Sequence, residues 1–489
     1  MRTLSGLDGM FLHLETAQTP MHVGSLIVLQ LPTEYRGDFL ADVKRLYRRR
    51  AALAPVLRRT LSELPLNIAN PAWVQAADID PEYHFRRVVL PKPGTQAQLE
   101  ACVGRLHSVP LDRAHPLWSV TVIEGLPGRR VGYYTNIHHA VIDGQSGVEL
   151  AKAVFDLTPR PRRVPRASVD AAAHGEQPWP GAVVASALRH DATQVAKFVQ
   201  HLPDVARTIA TLRRASRAGP TARQAHAFAP RTPFNVAIGS ERGFAGVSIP
   251  LAAVHRIATR YGATVNDVVL AICAGALRRY LGHHGGVPDE SLIAAVPISL
   301  RDPGNAEYTT LATMARVNLA TEIADPVRRL RAISGAASAA KQATGRAKPV
   351  LPTDFPTLGL PWLLHGLASL YGRAGIANMV PPFFNLVISN VRGPPMPLYI
   401  AGARVVRYWP LSIVAQGLAL NITVESYAGS LEFGVTAASS ALRDPRSVGA
   451  ALLATYRQLL TRTARHPSYA GVASTAGKMR SNDAPGGSA

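Results

Sequence analysis

The run His138-His139-Ala140-Val141-Ile142-Asp143-Gly144 holds the residues whose types and spacing are best suited to chemistry. Histidine has an unperturbed pKa near neutrality, so an imidazole here can take a proton from a hydroxyl and later return it. Arg130–Ile137 (RVGYYTNI) reads as a strand, which places both histidines where a strand gives way to a loop and side chains can be aimed into a cleft. Asp143 can anchor that loop, through an arginine or through backbone N–H groups. Gly144 supplies backbone freedom where the chain swings into the next helix.

Other readings of this run fare less well. A second pair, His283-His284 in LGHHGGVPDE, has no Asp-Gly behind it and is read as a Gly-rich surface loop. His139 and Asp143 could hold a metal only with a third ligand, and none is apparent nearby. Gly144-Gln145-Ser146-Gly147 is not the G-x-S-x-G elbow of a serine hydrolase.

The elements that must position these residues follow from periodicity. Met21–Leu31 and Leu117–Ile123 read as strands, and Asp38–Leu57, Ala97–His107 and Gln145–Leu157 as helices. Thr158 to about Pro233 changes character, with a Pro/Arg-rich connector (PRPRRVPRASV) and then one or two amphipathic helices over Pro180–Arg217. A second α/β unit follows: strands at Gly243–Ile249, Leu292–Pro297, Asn385–Ser389, Ala403–Pro410, Ala419–Glu425 and Ser430–Val435, and helices at Val265–Leu281 and Pro445–Ala464. The predicted division is 1–157, an N-terminal domain with the histidine run; 158–235, a basic linker with crossover helices; 236–467, a C-terminal domain; and 468–489, a disordered tail.

Bulk properties narrow the function classes. At 489 residues and 47% hydrophobic the chain is long enough for two cores. Cys102 and Cys273 sit in apolar helical stretches, so neither a disulfide framework nor a cysteine zinc site is expected, and a reducing compartment is. The N-terminus lacks a signal-peptide pattern, and the apolar stretch Leu358–Tyr371 is too short and interrupted to span a membrane. A cytoplasmic chain, free or peripheral on the inner membrane face or on lipid bodies, is expected. The net charge of +21 fits an anionic lipid surface, phosphate-bearing substrates, or simply an arginine-rich genome. Nucleic acid is not an expected partner, because finger spacings, RNA-binding signatures and aromatic-interleaved basic patches are missing.

The segment HHAVIDG resembles the signature of the CoA-dependent acyltransferase superfamily. Along nearly its whole length the chain is similar to the bacterial wax ester synthase/diacylglycerol acyltransferase family. The similarity runs through Leu4–Asp8, Met10–Glu15, Thr19–Gly24, Pro116-Leu117-Trp118, Ile123–Gly125, Thr264–Val269 and Pro297–Arg301. It continues through Ser389–Val391, Gly393–Pro395, Leu398–Gly402, Leu420–Thr423 and Ser426–Gly429. This resemblance implies an α/β fold of two chloramphenicol-acetyltransferase-like domains with the active-site channel between them. It implies acyl-CoA as donor, a diacylglycerol or long-chain alcohol as acceptor, and no cofactor or metal.

By the same resemblance His139 is the general base, His138 supports it, and Asp143 holds the loop, with Arg301 a candidate partner. Asn266 and Asp267 match a paired motif at a helix start, where capping and donor binding are both open readings. Pro116 and Trp118 line the reaction chamber or support it as core, and Gly144 belongs to the binding loop. Two departures stand out: Ser119 follows Trp118 where relatives often carry an acid, and Gln416-Gly417 replaces the usual Asp-Gly. An acyltransferase using another lipid or cell-envelope alcohol, and a weakly active lipid-binding paralogue, are the competing functions.

Overall fold

The computed structural model describes residues 2–3, 6–62, 72–76, 79–142, 144–164, 228–299, 312–347, 378 and 381–465. The crossover helices read over Pro180–Arg217, the apolar stretch Leu358–Tyr371 and the tail from Ser468 lie outside them, as do Asp143 and Arg301.

In chain order the strands are β1 (Arg2–Thr3), β2 (His22–Gln30), β3 (Arg59–Ser62), β4 (Ala72–Gln75), β5 (Phe85–Val89), β6 (Trp118–Leu126), β7 (Arg130–His138) and β8 (Arg242–Pro250). After them come β9 (Ile293–Ser299), β10 (Ala312–Asn318), β11 (Leu386–Arg392), β12 (Tyr399–Ile400), β13 (Ala403–Leu411), β14 (Leu420–Tyr427) and β15 (Ser430–Ala438). The α-helices are α1 (Gly6–Leu14), α2 (Phe39–Arg50), α3 (Pro81–His84), α4 (Gln96–His107), α5 (Gly144–Val154), α6 (Leu251–Tyr261), α7 (Val265–His283), α8 (Pro326–Ala347) and α9 (Pro445–Arg465).

Among the described residues two six-stranded sheets carry the fold, ordered β12-β13-β2-β7-β6-β5 and β10-β9-β11-β14-β15-β8. Alternation along β7 explains how one sheet serves two layers. Val131, Tyr133 and Ile137 face a core shared with Phe39, Val43 and Tyr47 of α2 and Ala153 and Val154 of α5. Tyr134 faces the other way, into a core with Leu99 and Val103 of α4, Phe244 of β8 and Trp409 of β13. The second sheet packs Ile422, Val424, Phe433 and Val435 against α7 and α9 in a core of its own.

Two sequence expectations need correction. The helix read over Asp38–Leu57 ends at Arg50 and gives way to two 3-10 turns, Ala51–Leu53 and Pro55–Arg58. Pro55 lacks the N–H and clashes with the preceding turn, so the helix cannot run through it. The strand Ala403–Pro410, counted with 236–467, lies in the N-terminal sheet: β13 pairs antiparallel with β2, Trp409 opposite Leu26. The C-terminal segment thus supplies one edge of the sheet that carries the histidine run.

The two halves meet where the second sheet's less apolar face covers α4 and β13. Glu100 on α4 accepts from Gly246 N–H at 2.9 Å, and Gln96 donates to the Gly246 carbonyl at 3.1 Å. Trp409 Nε1 donates to Ser248 Oγ at 3.1 Å. Gly246 permits this approach, since a Cβ there would lie 2.4 Å from the Trp409 ring.

Candidate active site

Backbone pairing delivers the histidines to the end of β7. His138 N–H donates to the Leu117 carbonyl at 2.9 Å, and His139 N–H to the Met21 carbonyl at 2.8 Å. Val141 N–H returns to the His138 carbonyl at 2.9 Å and closes a turn. Both histidines are therefore pinned between β6 and the start of β2, with the turn leading through Ile142 into α5, which opens at Gly144.

The two imidazoles have different surroundings. His138 is fully buried. Its Nδ1 accepts from Ala140 N–H at 3.1 Å, which leaves the proton of the neutral ring on Nε2. That atom lies 3.4 Å from Glu15 Oε1, out of line for a good hydrogen bond, so the contact is mainly electrostatic. His138 is closed off from solvent. His139 is half-buried and stacks on Phe11 of α1, ring centroids 4.0 Å apart at 21°. Burial pushes its pKa down to about 4, a hydrogen bond to its own backbone carbonyl opposes the shift, and His138 adds to it. Only Nδ1 can reach the residue's own carbonyl, so Nε2 keeps a free lone pair. At neutral pH His139 is an uncharged base.

Sequence reasoning did not give Glu15 a role. Its Oε1 accepts from Met21 N–H at 3.1 Å, and its Oε2 from Arg113 Nη2 at 2.9 Å. Burial works against ionisation here, but His138, Arg113 and the Met21 N–H outweigh it and hold the carboxyl at about 2. The ionised Glu15 ties α1, the Met21 backbone and His138 together beneath His139. Glu15 stood inside the segment Met10–Glu15, but nothing local distinguished it from a helix-end acid. Behind it, His22 Nε2 contacts the His107 carbonyl at 2.9 Å, and His107 Nδ1 the Tyr134 hydroxyl at 2.8 Å.

The Pro116-Leu117-Trp118 segment supports this centre. The Leu117 carbonyl receives His138, and buried Trp118 donates Nε1–H to the Leu57 carbonyl at 2.9 Å. The Trp118 ring lies on His84 at 4.0 Å and 10° and also lines a cavity of about 210 Å³. Trp118 is thus both core and cavity wall. The cavity runs between the β2/β7/β6 face and α5, starting at Ile137 and Ile142, which flank the histidines, and it includes Ser119. Tyr408 of β13 and Glu425 of β14 close it from the C-terminal half.

In the second half, Thr264 and Asp267 form a reciprocal capping box at the start of α7, and Ser334 Oγ donates to Asp267 at 3.0 Å. Asp267 has these helix-start partners. Asn266 is outside the box, and its side-chain oxygen accepts from Asn390 of the Ser389-Asn390-Val391 segment at 3.2 Å. The Gln416 amide pairs both ways with Ile238, accepting from its N–H at 2.8 Å and donating to its carbonyl at 3.1 Å. An aspartate could not donate the second bond, so this departure has a structural use. His283 is the last residue of α7 rather than part of a loop, and His284 stacks on Tyr280 at 4.1 Å.

The N-terminal half should be acid-labile. Burial lowers His22, His84 and His139 to about 4 and His107 well below the ordinary histidine range. The unfolded chain binds protons at these groups from about pH 6.5 downward, whereas the folded chain refuses them until about pH 4. Stability is therefore full above about pH 6.5 and lost as pH falls toward 4. Urea midpoints measured across this range should drop steadily, and a flat profile would contradict the neutral buried histidines.

Comparison with known proteins agrees with this architecture. The wax ester synthase/diacylglycerol acyltransferase catalytic domain matches residues 4–269, and the WS/DGAT C-terminal domain matches residues 311–459. The O-acyltransferase WSD of Acinetobacter baylyi is 35% identical over 457 residues, covering 90% of this chain and 93% of that protein. A Mycobacterium tuberculosis protein named as a diacylglycerol O-acyltransferase is 37% identical over 442 residues, covering 88% of this chain and 92% of its own. Among solved structures, the wax ester synthase/diacylglycerol acyltransferase of Marinobacter aquaeolei VT8 superposes with a TM-score of 0.67 at 29% identity, covering 94% of this chain and all of that one. A condensation domain of the calcium-dependent antibiotic synthetase shares the fold, with a TM-score of 0.51 at 17% identity. The uncharged, oriented His139 at the end of β7 thus belongs to a chain that is a member of the wax ester synthase/diacylglycerol acyltransferase family of O-acyltransferases.

Proposed function

We propose that the chain transfers an acyl group from acyl-CoA to the free hydroxyl of a diacylglycerol, forming triacylglycerol, and that long-chain alcohols serve as second acceptors. The observation that carries this reading is His139, neutral and with Nε2 unengaged, beside an apolar cavity suited to an alkyl chain. His139 Nε2 takes the hydroxyl proton as the oxygen attacks the thioester carbonyl. The tetrahedral intermediate collapses, the C–S bond breaks, and the imidazolium returns its proton to the departing thiolate. The thioester is already activated, so the reaction needs no metal, redox group or nucleotide. In this reading Asp143, which lies outside the described residues, has the role of holding the loop after His139, and Asn266, whose side-chain oxygen accepts from Asn390, has that of a polar contact to the donor.

Acceptors of this kind live in bilayers and droplets, which favours work at a membrane surface. The connector arginines Arg160, Arg162 and Arg163 are exposed and supply attraction to anionic lipid, worth about 1 kcal/mol per well-placed charge. A single experiment tests both parts: CoA release with a panel of acyl-CoAs against diacylglycerol or fatty alcohol carried in liposomes. Release is expected to require an acceptor, to rise with anionic lipid, and to lose that rise at high salt. No acceptor-dependent release with any pair would overturn the reading. Release indifferent to lipid charge would overturn the surface attraction alone.

A further inference from the structure

The cavity beside the histidines is lined mostly by apolar groups, among them Val23, Ile27, Ile137, Leu150 and Val154, yet four oxygen-bearing side chains meet at one part of its wall. Ser25 Oγ and Thr135 Oγ1, opposite each other on β2 and β7, are 2.8 Å apart. Tyr408 reaches Ser25 from β13, and Glu425 comes from β14. From the substrate-transfer reading above, and resting on it, we propose that this is a polar station for an oxygen function carried partway along the substrate's alkyl chain, with Glu425 the residue that selects it.

Position supports this. Ser25 and Thr135 each lie three residues along their strand from the paired His22 and His138. At about 3.3 Å per residue the station is roughly 10 Å along the sheet from that cross-strand pair, and His139 lies one residue beyond it. That is too far to take part in the transfer step and within reach of the middle of a long chain. A hydroxyl or keto group there meets both donors and acceptors; Ser25 and Thr135 already bond each other, so the group a saturated chain fails to engage is the Glu425 carboxyl.

The carboxyl is suited to the role because it can stay uncharged. Glu425 stands directly opposite Glu432 on β15, and two adjacent carboxyls cannot readily both ionise. Burial, then Glu432, pushes Glu425 up to about 7; burial likewise raises Glu432 to about 7, although Ser248, Arg407 and Trp409 work the other way. Among the described residues, those that face Glu425 include Tyr408 on β13, Glu432 on β15, and the backbone at Gly393, where a Cβ would lie 2.7 Å from Glu425 Oε1. Glu432 is occupied by Ser248 Oγ. Glu425 faces the cavity.

The test measures binding apart from turnover, using quenching of Trp118 fluorescence by stearic acid and by stearic acid hydroxylated at mid-chain, with Trp118→Phe assigning the signal. The wild-type chain is expected to bind the hydroxylated acid about three- to tenfold more tightly, the value of one net hydrogen bond. Glu425→Leu should abolish or invert that preference, and Glu425→Gln, a neutral hydrogen-bonding side chain, should keep it. Should Glu425→Leu fail to fold, Tyr408→Phe takes its place and should reduce the preference. Equal binding of both acids by the wild type, or a preference unchanged in the folded Leu or Phe variant, overturns the proposal. CoA release from the matching acyl-CoAs separates the two readings: turnover without preference removes the station alone, and preference without turnover removes acyl transfer alone.

Discussion

Replacing His139 by alanine is expected to lower CoA release by about 10²–10⁴ while leaving the fold intact. The reaction loses the group that accepts the hydroxyl proton, and among the described residues no neighbouring side chain is suited to replace it. Glu15, the nearest carboxylate in the cluster, is held at about 2 and occupied by Arg113, the Met21 N–H and His138, so it is a poor base. Little else changes, because the structural bond of residue 139 is its backbone N–H to Met21, which alanine retains. The lost stacking on Phe11 is worth about 0.5–1.5 kcal/mol. A far-ultraviolet spectrum and urea midpoint near wild type, with turnover reduced, is the expected result. His138→Ala should show the opposite balance. It strands the Ala140 N–H and leaves the buried Glu15 carboxylate without its imidazole neighbour, so its main loss should be in stability. Wild-type turnover by a folded His139→Ala protein would remove the general base from the mechanism.

How the two histidines divide their work was only partly legible in the sequence. The strand before them and the helix after them could be read from local pattern, since each depends on neighbours along the chain. The partners that decide protonation could not. Glu15 meets His138 only because α1 is carried against the end of β7, a contact with no local signal. Tyr408 joins the cavity only because β13 leaves the C-terminal half to pair with β2, and Glu425 only because the second sheet packs against that strand. A strand reads the same in either sheet, so Ala403–Pro410 showed its type and concealed its location. Asp267 shows the converse. Thr264 to Asp267 displayed a capping pattern openly, and the capping box is where the side chain is found.

The same crossing of segments makes Arg50 the position where substitution should cost most stability. Arg50 and Asp156 are each 3% exposed, and Arg50 Nη2 donates to both carboxylate oxygens at 2.9 and 3.0 Å. Arg50 Nη1 also donates to the Ala153 carbonyl at 3.1 Å, at the end of α5. Asp156 in turn exchanges backbone hydrogen bonds with Tyr399 of β12 at 2.9 and 2.8 Å, and its carboxylate accepts from Arg162 N–H. One buried pair therefore joins the end of α2, the helix after the histidine run, the connector and the outermost strand supplied by the C-terminal segment. Arg50→Met takes from a buried carboxylate its close, bidentate counter-charge and leaves it the Arg162 guanidinium at 4.0 Å, and breaking a buried pair of this kind costs about 3–5 kcal/mol. Much of that cost is the stranded charge rather than the worth of the pair. Arg50→Met combined with Asp156→Leu should therefore be less destabilised than the sum of the two single variants. Urea midpoints of the four proteins in this cycle decide the matter, and additive losses would mean that the two side chains act independently despite their contact.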